Sequence, residues 1–161
     1  MTPVCPSVVG SLVEIWSALH PGLCVKIAPS DMHYLRRMVL AADDHLVACL
    51  LAEKIQKTLA QTRPEGNFVA AKIGSIIRYR INGRSLEGHL VHGQGVDENS
   101  LGVGSRYGSA LVGSHAGQCF MWPSRNGRLI EVRVQEVKHP HINSGSEKVF
   151  CREVKNQCAF G

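Results

Sequence analysis

The stretch Ile76-Ile-Arg-Tyr-Arg-Ile-Asn-Gly-Arg-Ser-Leu-Glu-Gly-His-Leu-Val-His92 decides the fold. Apolar and charged side chains alternate up to Ile81, which is the period of a strand with one buried face. Asn82-Gly83 then supplies the positive φ angles that a two-residue type I′ turn requires. The stretch therefore predicts a β-hairpin whose return strand runs from Leu86 to His92.

A second hairpin is predicted around Asn126-Gly127, between the segments 119–122 and 129–137. In the later segment, apolar side chains at Ile130, Val132 and Val134 alternate with Glu131, Arg133 and Gln135. Between the two hairpins, Ser105 is suited to cap a helix of about two turns that Gly113 ends. We expect a four- or five-stranded antiparallel sheet with one short helix on its face.

The segment before the sheet, residues 30–63, predicts a short antiparallel helical hairpin of the coiled-coil type. Ser30 is the expected N-cap of the first helix, whose apolar side chains recur from Met32 to Ala42. After Asp43-Asp44 a second apolar stripe extends from Val47 to Leu59. The side chains expected to flank that stripe are Glu53, Lys54 and Lys57. With the sheet domain at residues 67–139, these features define an α+β fold.

Both ends of the chain are less regular. Residues 1–29 are interpreted as an N-terminal extension with one short amphipathic helix. The apolar side chains of that helix, spaced i, i+3, i+4 and i+7, are Val9, Leu12, Val13 and Trp16. Residues 140–161 show no clear period and are interpreted as a tail.

Composition narrows the class of protein. The 161 residues are 44% hydrophobic, without a run of about 18 apolar residues that could span a bilayer. Glu14 interrupts the N-terminal apolar stretch and no basic region precedes it, so we expect a cytoplasmic protein without membrane contact. The net charge of +5 fits an acidic partner surface or weak, non-specific contact with nucleic acid. An ordinary basic surface explains it equally well.

The sequence lacks the usual signatures of catalysis and of cofactor binding. Neither a P-loop, a GxGxxG after a strand nor a GxSxG elbow occurs, and the six cysteines include no CxxC pair. We therefore expect no catalytic residue, metal or cofactor. Asp43 and Asp44 leave two readings open. Their carboxylates could hold Mg²⁺ together with another protein's ligands, or Asp43 ends one helix while Asp44 caps the next.

Several runs resemble the C-terminal domain of bacterial Gre transcription elongation factors, which has an FKBP-like fold. These runs are Ile73-Gly-Ser-Ile-Ile-Arg-Tyr79, Leu101-Gly-Val-Gly-Ser-Arg-Tyr-Gly-Ser-Ala-Leu-Val-Gly113, Ala116-Gly-Gln118, Asn126-Gly127 and Ile130-Glu-Val-Arg-Val-Gln-Glu-Val137. The preceding helices resemble the shorter relatives called regulators of nucleoside diphosphate kinase. The chain departs from the family pattern at Arg106, where Pro is usual, and at Gln118, where Asp is usual.

The resemblance implies a protein that docks on bacterial RNA polymerase near its secondary channel. The residues expected to make that contact are Ser105, Arg106, Tyr107 and Gly108. Arg106→Glu is expected to weaken the association and to leave stability nearly unchanged. A monomer is expected.

Hairpin length separates regulation from transcript cleavage. Gre factors that stimulate cleavage reach the active site with a long coiled coil whose tip is acidic. At ~1.5 Å per residue, the two helices predicted here span roughly 18 Å and 25 Å, against about 45 Å for a long coiled coil. We therefore expect regulation without cleavage, and the alternative is a cleavage factor that uses Asp43 and Asp44.

Two further functions remain as alternatives of other classes. The FKBP-like fold suggests a peptidyl-prolyl isomerase, with Phe120 and Trp122 as either pocket or core. Weak nucleic-acid binding would use an outward row of arginines that the two hairpins bring together. That row is Arg78, Arg80, Arg84 and Arg133.

Overall fold

The computed structural model describes residues 6–61, 68–124, 126 and 128–140. Some predicted features lie outside the described residues. They are the linker Pro64-Glu-Gly66, Gly127 of the second turn, Cys5, and the tail from His141 onward with Cys151 and Cys158.

Four helices and a five-stranded sheet form the described structure, and the predicted α+β class is confirmed. The helices are α1 (Pro6–Leu19), α2 (Pro29–Ala41), α3 (His45–Ala60) and α4 (Arg106–Leu111). The strands are β1 (Ile76–Ile81), β2 (Arg84–Val91), β3 (Ser100–Gly102), β4 (Cys119–Pro123) and β5 (Leu129–Lys138). They lie in the order β3-β2-β1-β5-β4.

The first hairpin has the predicted turn. Asn82 has a φ of +49° and Gly83 a φ of +80°, as a type I′ turn requires. Ile77, Tyr79 and Ile81 are buried, whereas the arginines between them are exposed. The return strand begins at Arg84, directly after the turn, because a two-residue loop pairs Ile81 with Arg84.

The sheet is antiparallel as predicted except at β3, which pairs with β2 in parallel over three residues. The segment 92–99 carries the chain back beside β2, so that Leu90 and Leu101 become neighbours. Leu101 is buried in that position, together with Val103 just beyond β3. Burial of these two side chains explains why a short parallel strand forms without a crossover helix.

Two details of the predicted helices differ. Helix α2 begins at Pro29 with Ala28 as N-cap, so the prediction of Ser30 as N-cap is wrong. Proline suits the first helical position because its fixed φ is helical and its missing N–H needs no partner there. Helix α1 forms as predicted and buries Trp16, but Leu12 is 41% exposed and lies outside the core.

One buried cluster joins the helices to the sheet. It includes Trp16 of α1, Ile27 of the connection to α2, Leu35 of α2 and Leu51 of α3, together with the inner side chains of the strands. The helical hairpin therefore packs on the sheet domain, and the segment after α1 contributes to the same core.

Candidate docking site

Ser105 begins helix α4 in the predicted way. Its Oγ accepts a hydrogen bond from the Gly108 amide at 3.1 Å and donates one to the Gly102 carbonyl at 2.6 Å. Gly113 follows the helix with a φ of +79°. Because both bonds of the hydroxyl are internal, Ser105 positions α4 in the fold.

Gly108 is buried where α4 meets β3. A Cβ at this position would lie 1.8 Å from the carbonyl oxygen of Gly102, so only glycine fits without a shift of the backbone. Since Gly108 presents neither a side chain nor exposed surface, we assign it to packing rather than to partner contact.

Tyr107 is the exposed member of the predicted docking group, with 36% of its surface accessible. It lies close enough to Tyr79 of β1 to affect that residue's ionisation. Burial, and second the neighbouring Tyr107, raise the pKa of Tyr79. Tyr107 therefore offers an aromatic surface at the outer side of α4.

Arg106 is bound within the molecule. Its Nη2 and Nε each lie 3.2 Å from Oδ2 of Asp44, and its Nη1 donates to the carbonyl of Ser124 at 2.6 Å. The side chain is only 21% exposed. Arg106→Glu would place a carboxylate beside Asp44, so the structure contradicts the expectation that this substitution leaves stability nearly unchanged.

A cavity of about 360 Å³ opens between α4 and the end of β4. Its lining includes three of the four predicted docking residues. The lining residues are Ser105, Arg106, Tyr107, Ser124 and Asn126. The structure thus brings the predicted residues together around one concave surface.

The turn between α2 and α3 lies against α4 and does not project from the domain. Asp44 caps α3 through Oδ1, which accepts from the amides of Leu46 at 3.0 Å and Val47 at 3.3 Å. Its Oδ2 binds Arg106. The helix-capping reading of Asp44 is confirmed, while Asp43 is exposed beside it.

Further contacts hold α2 along the sheet domain. Asp31, near the start of α2, is buried and accepts a hydrogen bond from the Ile73 amide at 2.9 Å. Further along, the Tyr34 hydroxyl accepts from the Gly93 amide at 2.7 Å. With Asp44 at the far end, the hairpin is attached over its whole length.

Lys54 is buried in α3, although the sequence places it at the flank of the apolar stripe. Its Nζ donates to the carbonyls of Ser109 at 3.0 Å and Val112 at 2.9 Å, and also to that of Ala110. These carbonyls belong to the C-terminal end of α4, where a cation is favoured. Burial lowers the pKa of Lys54 to about 7. In the sequence, the signal for this burial is the position of Lys54 between Leu51 and Ile55 on the apolar stripe.

Three of the four outward arginines share one sheet face. Arg80 and Arg133 are direct partners on β1 and β5, and Arg78 lies two residues from Arg80 on the same strand. Arg84 does not belong to this row, because its partner Ile81 points into the core. Directly opposite residues of antiparallel strands point to the same face.

Carboxylates accompany part of the arginine row. Arg78 lies 3.2 Å from Glu87 and 3.5 Å from Glu136, and Arg133 lies 3.4 Å from Glu131. Within the described residues Arg80 forms no salt bridge. Of the three arginines of this row, Arg80 is therefore the one whose positive charge is not paired within the described residues.

The aromatic side chains of β4 belong to the core. Phe120 is 3% exposed and Trp122 is fully buried. The Nζ of Lys54 lies 5.8 Å from the centroid of the Phe120 ring and 5.3 Å from that of Trp122. Of the two readings for these rings, core packing is the one observed, and neither ring lines an open pocket.

The described residues contain neither a cluster of metal ligands nor a membrane-spanning helix. No three histidine, cysteine, aspartate or glutamate side chains approach closely enough to share a metal ion in the described ranges. Among the described helices, none is both long and apolar enough to cross a membrane.

Comparison with known proteins finds likeness in structure only. No family model matches the chain, and no curated protein matches it. A prokaryotic transcription elongation factor GreA/GreB from Nitrosomonas europaea has a TM-score of 0.54 at 21% identity, over 73% of this chain and 99% of that chain. Gfh1 of Thermus aquaticus has a TM-score of 0.40 at 19% identity, over 83% and 92% of the two chains. The first likeness shows a shared fold, and the second adds nothing to it.

Proposed function

We propose that this protein is a cytoplasmic transcription regulator that docks as a monomer on bacterial RNA polymerase, near the secondary channel. It acts by binding and not as an enzyme, in the manner of the short-hairpin regulators of nucleoside diphosphate kinase. The polymerase as partner is supported by the fold shared with an elongation factor and by the Leu101–Gly113 motif, which forms the cap and helix expected of it.

The contact between Asp44 and Arg106 is the main support for regulation without transcript cleavage. It keeps the hairpin turn beside α4, so Asp43 and Asp44 are not presented at the end of a free coiled coil. Helices of 13 and 16 residues span only about 20 Å and 24 Å at ~1.5 Å per residue. Both the length and the attachment of the hairpin disfavour insertion of an acidic tip into a distant active site.

The surface proposed for docking is centred on Tyr107 and the cavity beside it. Tyrosine is frequent among the residues that dominate binding energy, since it buries a large ring at little cost in conformational entropy. Arg106 and Ser105 line the same cavity but are held internally. They shape the surface while Tyr107 contacts the partner.

A binding measurement tests the docking surface. Tyr107→Ala is expected to weaken association with purified core RNA polymerase roughly tenfold. Leu59→Ala is the matched control, because Leu59 is also exposed but lies at the end of α3 opposite to Asp44. Equal affinity of the wild type and the Tyr107 variant, or an equal loss in both variants, would overturn the proposed surface.

A transcript-cleavage assay on backtracked polymerase tests the mode of action. The wild-type protein is expected to leave the cleavage rate at its basal level while it competes with a cleavage-stimulating Gre factor. Cleavage that is stimulated by the wild type and lost in Asp43→Asn/Asp44→Asn would establish the alternative, a cleavage factor.

A further inference from the structure

Strand β4 lies at one edge of the sheet, and two side chains at the C-terminal end of α1 reach it, Trp16 in the last turn of the helix and His20 directly after it. Edge strands present backbone groups that lack a neighbouring strand. The Trp16 Nε1 donates to the Met121 carbonyl at 2.8 Å, and the Met121 amide donates to Nε2 of His20 at 2.9 Å. Two side chains one helical turn apart thus take the place of a neighbouring strand at Met121.

These contacts fix the protonation of His20. A backbone amide can only donate, so Nε2 of His20 must be unprotonated where it meets the Met121 amide. The other ring nitrogen, Nδ1, lies 2.7 Å from the Trp16 carbonyl, which can only accept. Nδ1 therefore carries the hydrogen, and the imidazole is neutral when α1 is in place.

We propose that His20 is a proton-sensitive clasp that holds α1 on the edge of β4. A proton on Nε2 removes the acceptor of the Met121 amide and sets two N–H groups against each other. Release of α1 then uncovers the Met121 peptide group and the indole of Trp16, which is 2% exposed in the closed form.

Two features near His20 favour a positive charge, the C-terminal end of α1 and the Trp16 ring, whose centroid lies 5.1 Å away, but neither accepts a hydrogen bond from a proton on Nε2. His20 is 9% exposed and lines a cavity of about 350 Å³, whose other titratable side chains are Cys24, His115 and Cys119. The nearest carboxylates on adjoining elements are engaged or face elsewhere. Glu53 of α3 accepts a hydrogen bond from the Ser17 hydroxyl at 2.7 Å. Glu131 of β5 is the strand partner of Met121 and points to the outer face of the sheet. Within the described residues His20 has no salt-bridge partner.

The size of the effect follows from proton linkage. A solvated histidine takes up a proton near pH 6.5, so acid favours the open form in which the ring meets water. If only the open form is protonated, the opening constant rises about tenfold between about pH 7.5 and about pH 5.5.

Hydrogen exchange of the Met121 amide in the full-length protein measures this opening directly. After correction for the intrinsic exchange rate, wild-type protection is expected to fall about tenfold over that pH range. In His20→Gln the side-chain oxygen still accepts from Met121 but does not titrate, so protection is expected to be independent of pH. His115→Gln alters a histidine of the same cavity and is expected to retain the wild-type dependence.

A wild-type protection factor that does not change with pH would overturn the clasp, as would an equal change in His20→Gln. The ¹⁵N chemical shifts of the wild-type imidazole give a test that needs no variant. They are expected to show hydrogen on Nδ1 and none on Nε2 at neutral pH, and the opposite tautomer would contradict the proposal.

Discussion

The guanidinium of Arg106 lies 3.2 Å from the carboxylate of Asp44, although 62 residues separate them in the chain. One carboxylate therefore serves two helices, since its Oδ1 caps α3 and its Oδ2 binds the first residue of α4. The same guanidinium also donates a hydrogen bond to the carbonyl of Ser124. The hairpin turn and the start of α4, which are far apart in the sequence, therefore form one surface.

Substitution of Asp44 separates its two roles. Asp44→Asn keeps an oxygen for the cap but loses the charge, so we expect a loss of at most about 1 kcal/mol in unfolding free energy for this partly exposed pair. Asp44→Ala also loses the cap and is expected to cost about 1 kcal/mol more. Urea unfolding of both variants measures the difference, and equal stability of the two would contradict the capping role.

Gly108 tests the close contact between α4 and β3. In Gly108→Ala the new Cβ would meet the Gly102 carbonyl oxygen, and we expect a loss of about 2 kcal/mol or more through forced backbone shifts. Thermal unfolding gives the measurement. Gly10→Ala is the control, because nothing lies within 4 Å of a Cβ there and the position is in helix α1. It is expected to stabilise by about 0.5–1 kcal/mol, and a Gly108 variant as stable as the wild type would show that α4 can move.

Local signals in the sequence predict much of this structure. Asn82-Gly83 and the alternation around it define the first hairpin, and Ser105 defines the start of α4. The sequence also predicts the sheet face on which Arg84 lies. A two-residue turn places Arg84 opposite Ile81, and Ile81 alternates with Arg80. The strand register, and not charge alone, therefore separates Arg84 from the other arginines.

A single sequence does not predict contacts between distant segments. The parallel pairing of β3 depends on where segment 92–99 returns the chain. Neither secondary-structure propensity nor hydrophobic periodicity predicts that position. The bonds from Trp16 and His20 to Met121 join residues about a hundred positions apart. The apolar spacing of α1 predicts a buried side for the helix but not the strand that covers it.

Lys54 makes stability depend on pH. Its ordinary pKa of 10.5 applies to the unfolded chain, and burial lowers the pKa to about 7 in the folded protein. Between these values the unfolded chain binds a proton that the folded chain lacks, so unfolding free energy rises with pH by up to about 1.4 kcal/mol per unit. Below about pH 7 both forms are protonated and this dependence disappears.

Lys54→Met is expected to flatten this rise between about pH 7 and about pH 10. Urea unfolding of both proteins at several pH values gives the comparison. Because thiols and phenols titrate in both proteins, the difference in slope isolates Lys54. Parallel stability profiles would mean that the three carbonyls of α4 and the rings of Phe120 and Trp122 keep the ammonium charged at no cost.

The paired arginines of the outer sheet face test the weak nucleic-acid contact. Like charges directly opposite on neighbouring strands repel, so Arg80→Gln/Arg133→Gln is expected to leave the fold intact. If both side chains contact phosphates, the double variant loses affinity for a non-specific DNA duplex. The slope of log affinity against log salt concentration then falls by about 2, since each lost phosphate contact contributes about 0.9.

Arg84→Gln removes a charge from the other face of the hairpin and is expected to change neither the affinity nor the slope. Fluorescence anisotropy at several salt concentrations decides the matter, and an equal loss in the Arg84 variant would attribute the binding to net charge alone.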